Sequence, residues 1–394
     1  MDFKFTYKVS SLTGTATREI IKLIENSSVI SFAGGIPSAD ALPMQQIQQI
    51  SGDILASPNA LKAIQYGATE GLISLREQLV EYVKHVGIEG ISVDNLLVVT
   101  GGQQGLDLTL RAFIDRGDTV LVEKPTYLAV LPMIKAHGGN AEGVKAVKDG
   151  LDLADLEKKI VKSESRLLYC VPTFSNPTGK TYSEKNRQGI LELAKKYKVM
   201  VLEDDPYGRL RYKGSTVKSI KHFDNEGHVI YVSSFSKILS PGLRVGFVVA
   251  HRDVIAKLTA IKQGVDLHSS NLSQAIVSEF LSRNLLMPHI EKNLSFYRDK
   301  KDAMQEAVIK YMPPTFKATK PDGGLFIWGE FPISTDTVLN FPNAIEKGVA
   351  YIHGQHFYPQ GSGRNTMRLN FSSETKENIT KGIKILGEIF DEKQ

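Results

Sequence analysis

The sequence predicts an α/β protein built on a mostly parallel sheet flanked by helices, with a smaller α+β domain attached. Three observations carry that reading. Short β-rich runs alternate with amphipathic helical stretches through the middle of the chain. Each run is apolar on both faces, as strands covered by helices on two sides are. The polar clusters fall at or just after the ends of these runs, where ligands sit in such sheets.

The expected strands are 96–100, 119–122, 167–171, 199–202, 229–232 and 246–249. A helix is expected to begin near Gln103, and another over 184–197, with Ile190, Leu191, Leu193 and Ala194 on one face and Lys and Glu opposite. A long charged helix over about 288–311 leads into shorter strands, 325–329 and 367–371, and a closing helix. The chain has 394 residues, enough for two domains. Residues 45–285 read as the large domain, and 1–44 with 286–394 as the smaller one.

Composition removes several classes. The hydrophobic fraction is 42% and the charged fraction 23%, ordinary for a soluble globular protein. Forty-eight Lys and Arg against 43 Asp and Glu leave a net charge of +5 without a basic block, so no nucleic-acid partner is expected. One cysteine, Cys170, makes neither an intrachain disulfide nor a Cys-based metal cluster. No apolar run approaches the ~18 residues of a membrane span, and the first residues lack a signal-peptide core, so a soluble, cytoplasmic protein is expected. No histidine pair has metal-ligand spacing; His353 and His356 lie in a Gly-bounded turn, and His268 in a loop. No metal is expected.

The chemistry lies in an ordered set: Asn176-Pro177-Thr178-Gly179, Asp204-Asp205-Pro206-Tyr207, Ser234-Phe235-Ser236-Lys237, then Arg244 at the start of the next strand. Together these place an amide, carboxylates, a phenol, hydroxyls, an amine and a guanidinium at one sheet edge. With Ser31 to Pro37, Tyr66 to Gly71, Thr100 to Gly105, Glu123 to Tyr127 and Met367 to Phe371, the chain resembles the fold-type I pyridoxal-phosphate-dependent aminotransferases over essentially its whole length. Within them it is similar to the branch of 2-aminoadipate, kynurenine and archaeal aromatic aminotransferases.

The resemblance implies roles that the chemistry of each side chain supports. Lys237 would hold the cofactor aldehyde and then act as base. A buried carboxylate must keep the pyridine nitrogen protonated; Asp204 and Asp205 are the candidates, and the family spacing Asp-x-x-Tyr selects Asp204. Tyr207 and Asn176 would hydrogen-bond the ring oxygen, and Tyr127 would stack on the ring. Gly101, Gly102 and Gln103 offer N–H groups at a helix start, and with Ser234, Ser236 and Arg244 they complete a phosphate cup. Many relatives carry Ser where this chain has Gly102, so a backbone contact replaces one hydroxyl there. Arg368, with Asn176, would grip the substrate α-carboxylate, and Gly35 would let substrate approach the backbone. Arg18 is similar to a position that contacts the distal carboxylate of acidic substrates; a solvated helix arginine is the alternative. Tyr66 matches a tyrosine supplied by the neighbouring subunit, which implies a homodimer with shared sites.

The expected activity is transfer of an amino group from an L-amino acid, 2-aminoadipate, aromatic or broader, to a 2-oxo acid such as 2-oxoglutarate, by a ping-pong route. The alternatives are a lyase or synthase of the same fold and, more remotely, an aminotransferase-like transcription regulator. The family match begins within about thirty residues of Met1, so a regulator's DNA-binding domain is not expected.

Overall fold

The computed structural model describes residues 4–6 and 29–391. The first described strand, β1 (Ile30–Ser31), lies apart from the main sheet. The main sheet consists of β2 (Leu96–Val99), β3 (Thr119–Lys124), β4 (Asn140–Val147), β5 (Gly150–Leu151), β6 (Leu167–Cys170), β7 (Met200–Asp204), β8 (Val229–Ser234) and β9 (Gly246–Val249). Their spatial order is β2-β9-β8-β7-β6-β3-β4-β5. The pairs from β8 through β7, β6 and β3 to β4 are parallel, whereas β9 runs antiparallel to both β8 and β2.

Alternation along the strands explains the two-faced apolar runs. Val120, Val122, Leu167, Tyr169, Leu202, Ile230 and Val232 belong to one buried apolar layer. Leu121, Leu168, Cys170, Val201 and Val229, each next in sequence to one of those, belong to the other. Sequence reading missed β4 and β5. The cause is visible in β4, a half-exposed strand near the sheet edge whose Asn-Ala-Glu-Gly-Val-Lys-Ala-Val lacks the apolar run of a two-sided strand.

The C-terminal part holds β10 (Lys317–Ala318), β11 (Phe326–Glu330), β12 (Val349–Ala350), β13 (Ile352–His353) and β14 (Thr366–Asn370). β10, β11, β14 and β13 form an antiparallel sheet in that order, and β1 pairs in parallel with β12. The long helix spans Leu286–Tyr311, and the closing helix, Lys376–Asp391, packs along it. Phe32 donates its N–H to Ala350 O (2.8 Å) and accepts at its carbonyl from Asn370 N (2.9 Å), so the segment around β1 lies against β12 and β14.

Two buried ionisable side chains, Arg187 and Glu123, hold the loop between β6 and the helix Glu184–Tyr197. Arg187 sits on that helix's buried face with Ile190, Leu191 and Ala194. Its Nη2 donates to Pro172 O (2.8 Å) and Thr173 Oγ1 (2.9 Å), and its Nε to Tyr182 O (3.1 Å). Its Nη1 lies 3.8 Å from Glu203 Oε1. From the other side, Glu123 accepts from Val171 N (3.2 Å), Ser175 Oγ (3.1 Å) and Tyr182 Oη (2.5 Å). Burial pushes the Glu123 carboxyl up to about 8, against the lowering effect of these bonds. Asn176 rides on the loop so fixed.

Candidate functional site

Chain direction explains why so many polar groups meet. β7 ends on Asp204 and β8 on Ser234. Parallel to them, β6 leads into the Asn176 loop and β3 into Tyr127. Because β9 is antiparallel to β8, its start reaches the same edge as their ends. Arg244 does not begin that strand, contrary to the sequence reading. It occupies a left-handed turn (φ 53°) two residues before Gly246. The turn sends its guanidinium back, with Nη2 donating to Thr100 O (3.3 Å) and Nη1 to Ser236 Oγ (3.4 Å).

One cavity of about 390 Å³ is lined by Gly35, Gly102, Gln103, Tyr127, Asn176, Asp204, Tyr207, Ser234, Ser236, Lys237, Arg244 and Arg368. Gly101 stands immediately behind it as the N-cap of the helix Gly102–Phe113. Only glycine suits that position: its φ is +74°, and a Cβ would lie 2.3 Å from Arg244 Nη2. At Gly102, by contrast, a Cβ would meet nothing nearer than Ser234 Cβ at 3.6 Å. The backbone alone therefore serves there without steric compulsion.

At this end the cavity meets the first turn of a twelve-residue helix, whose leading N–H groups have no intrahelical acceptor. Ser234 Oγ donates to Ser236 Oγ (2.8 Å) and accepts from Ser236 N (3.1 Å). Hydroxyls, a helix N-terminus and Arg244 form an anion cup of the right chemistry for a phosphate.

In the middle, Asp204 is buried, and Tyr169 Oη donates to its Oδ2 at 2.8 Å. Burial pushes its pKa up to about 7, the Tyr169 bond opposing and Asp205 adding to the rise. Asp205 turns elsewhere, accepting from Gly208 N (2.9 Å) and Tyr231 Oη (2.9 Å), so it closes a turn. Asn176 Nδ2 donates to Tyr207 Oη at a long 3.5 Å. Lys237 Nζ donates to Gly35 O (2.8 Å); burial, then the cations Arg368 and Arg244, lower its pKa to about 8.

At the far end, Arg368 on β14 is 2% exposed. Its Nη1 donates to Asn176 Oδ1 (2.9 Å) and its Nη2 to Ala33 O, while the buried Nε finds no acceptor. Its guanidinium lies 4.3 Å over the Phe326 ring. No carboxylate among the described residues pairs with it, and burial lowers its pKa to about 10. A buried fork so placed suits a carboxylate brought in by a ligand.

Tyr66 does not line this cavity. Tyr66 is 79% exposed, its ring edge-on to His268 at 5.9 Å. Arg18 lies outside the described residues. Sequence reading missed Tyr169 and Phe326. Tyr169 left a signal: a phenol in an otherwise aliphatic strand needs a partner at its tip.

The family model for aminotransferase class I and II matches residues 29–386. The chain is 41% identical to aromatic-amino-acid aminotransferase 1 of Thermococcus litoralis, over 98% of this chain and 94% of that one. It is 35% identical to a 2-aminoadipate transaminase of Thermus thermophilus, over 95% and 94% of the two chains. Among solved structures, the kynurenine aminotransferase of Pyrococcus horikoshii, described with PMP and kynurenine, superposes with a TM-score of 0.94 at 40% identity, over 98% and 97% of the two chains.

The Lys237 environment predicts a pH-dependent stability in the cofactor-free protein. The native amine titrates near 8 and the unfolded one near 10.5. Between those values the unfolded chain binds the proton and the native one does not, so stability rises with pH across the window. Urea unfolding should show Lys237→Met more stable than wild type near pH 8, by on the order of 2–3 kcal/mol, with the gap closing toward pH 10.5. A gap independent of pH contradicts this environment.

Proposed function

We propose, from the premise that this chain belongs to the aminotransferase class I and II family, a division of labour among the residues around its cavity. The protein is a pyridoxal-phosphate-dependent aminotransferase. Bound pyridoxal phosphate supplies an aldehyde that takes up the amino group and a ring that withdraws the electrons left when Cα loses its proton. Arg244, Ser234, Ser236 and the N–H groups beginning at Gly102 hold the phosphate. Asp204 would face the ring nitrogen and hold a proton on it, and Tyr127 would cover one ring face. Tyr207 and Asn176 hydrogen-bond the ring oxygen. Lys237 would hold the cofactor's aldehyde and, as a free amine, would move the proton at the substrate Cα. Its lowered pKa leaves a good part of the amine neutral near pH 8, as a base requires. Arg368 and Asn176 orient the substrate α-carboxylate, and Gly35 admits the substrate beside its backbone.

The observation that carries this reading is the set of charges: Lys237, Arg244, Arg368 and Asp204 line one cavity, and no ion pair links any of them to another described residue. The cofactor's phosphate, the substrate's carboxylate and the protonated ring would each find an opposite charge waiting. The substrate is an L-amino acid, with 2-aminoadipate and aromatic donors favoured by the relatives' names and 2-oxoglutarate as acceptor. Leu106, Leu128 and Phe326 supply apolar wall for such side chains.

The enzyme is proposed to work as a homodimer in the cytoplasm. Leu61 and Ile64 (each 67% exposed), Tyr66 and Leu267 offer an apolar surface, and Asn271 ties its segments together by donating to Lys62 O and Gln65 O. The one cysteine, Cys170, is buried and free, as suits a reducing compartment.

Transamination should form one 2-oxo acid per amino acid consumed and turn over repeatedly only with an added 2-oxo acid, whereas elimination would need no acceptor. Arg368→Ala should lower kcat/KM for every donor by roughly ten- to a hundredfold, because all share the α-carboxylate. Product beyond one equivalent per active site without acceptor, or loss confined to one donor class, contradicts the assignment. Mixed Tyr66→Ala and Lys237→Ala protomers form heterodimers with one doubly lesioned site and one intact site. Activity above both parents is expected; none, despite proven subunit exchange, places each site within one chain.

A further inference from the structure

Tyr207 is followed two and four residues later by Arg209 and Arg211, which line a second cavity, of about 280 Å³, together with Arg187, Asp205, Ser219 and Glu291. In both Arg209 and Arg211 the Nε and Nη2 atoms are buried and meet no hydrogen-bond acceptor. Those two atoms form one edge of a guanidinium, the edge that grips two oxygens of a carboxylate or phosphate at once. Rings fix the planes of both forks: Arg209 lies 5.1 Å over Tyr82 and Arg211 4.6 Å over Phe174. Neither makes an ion pair with a described residue within 4 Å, the limit that includes the Arg187–Glu203 contact at 3.8 Å. The lining carboxylates do not meet the need. Asp205 is engaged with Gly208 N and Tyr231 Oη, and Glu291 is exposed. Burial lowers the Arg211 pKa, against the raising effect of Asp322 and Asp205.

We propose that this cavity is a second anion site, distinct from the catalytic one, that takes a small oxyanion, phosphate or a short dicarboxylate, between the Arg209 and Arg211 forks. Asp204 and Asp205 are adjacent and line different cavities, so the site lies directly behind the carboxylate of the catalytic cavity.

The test uses holoenzyme whose cofactor has been fixed by borohydride, so that the phosphate cup is filled. Inorganic phosphate, succinate and chloride are titrated by calorimetry into wild type, Arg209→Gln, Arg211→Gln and Arg368→Gln. Saturable one-site binding of phosphate or succinate is expected, weakened at least tenfold in Arg209→Gln and in Arg211→Gln and retained in Arg368→Gln. The tighter of the two oxyanions identifies the occupant. Arg209→Lys, which keeps the charge without the fork, should bind more weakly than wild type and guards against a variant that fails to fold. Absence of saturable binding, equal binding by chloride, or loss in Arg368→Gln alone would overturn the proposal.

Discussion

Unpaired charge in a buried place is the constraint on which the rest of this structure depends. The buried Arg368 and Asp204 and the half-buried Lys237 share one cavity with the exposed Arg244, without an ion pair among them. Burial drives the Lys237 amine and the Arg368 guanidinium down and the Asp204 carboxyl up, each toward its neutral form. Isolated charges in such a place are costly, and a protein that keeps them must hold them by other means. Here the means are neutral dipoles: Gly35 O for Lys237, Thr100 O for Arg244, Asn176 Oδ1 and Ala33 O for Arg368, and Tyr169 Oη for Asp204. Each charge is positioned yet left with attraction to spare for a ligand, which is the preorganisation that electrostatic catalysis needs.

That arrangement demands a stiff frame, and the frame lies one layer deeper. The parallel strands bring Asp204 and Ser234 to a common edge, and antiparallel β9 adds Arg244. The Asn176 loop is held by Arg187 on one side and Glu123 on the other, so both the amide that meets Arg368 and its approach to Tyr207 are determined away from the cavity. Residues that never touch a ligand therefore decide where those that do will stand.

Much of this was legible in the sequence, for physical reasons that differ by residue. Strands buried on both faces announce themselves as unbroken apolar runs, and the groups at their ends, Asp204, Ser234 and Lys237, could be placed by position alone. Arg368 was legible because a guanidinium between Met367 and Leu369 has few reasons to be there. Strand β4 was not, because a half-exposed strand near the edge carries no such run. Arg244 was read as the first residue of a strand, since a left-handed turn at a non-glycine residue leaves no mark in composition. The Tyr169–Asp204 bond and the bonds that Glu123 accepts from Val171, Ser175 and Tyr182 join residues 35 or more positions apart, so no local pattern could reveal them.

The central claim is that Asp204 is kept in place, lightly paired, to hold a proton on the cofactor ring. Its own pKa of about 7 belongs to a carboxyl facing no cation; a protonated ring nitrogen opposite would return it to the ionised state. Nuclear magnetic resonance of protein loaded with 15N-labelled pyridoxal phosphate reads that proton directly from the ring-nitrogen shift. The account predicts a protonated nitrogen in wild type near pH 8 and an unprotonated one in Asp204→Asn, with cofactor bound in both. The same shift in the two proteins would contradict it.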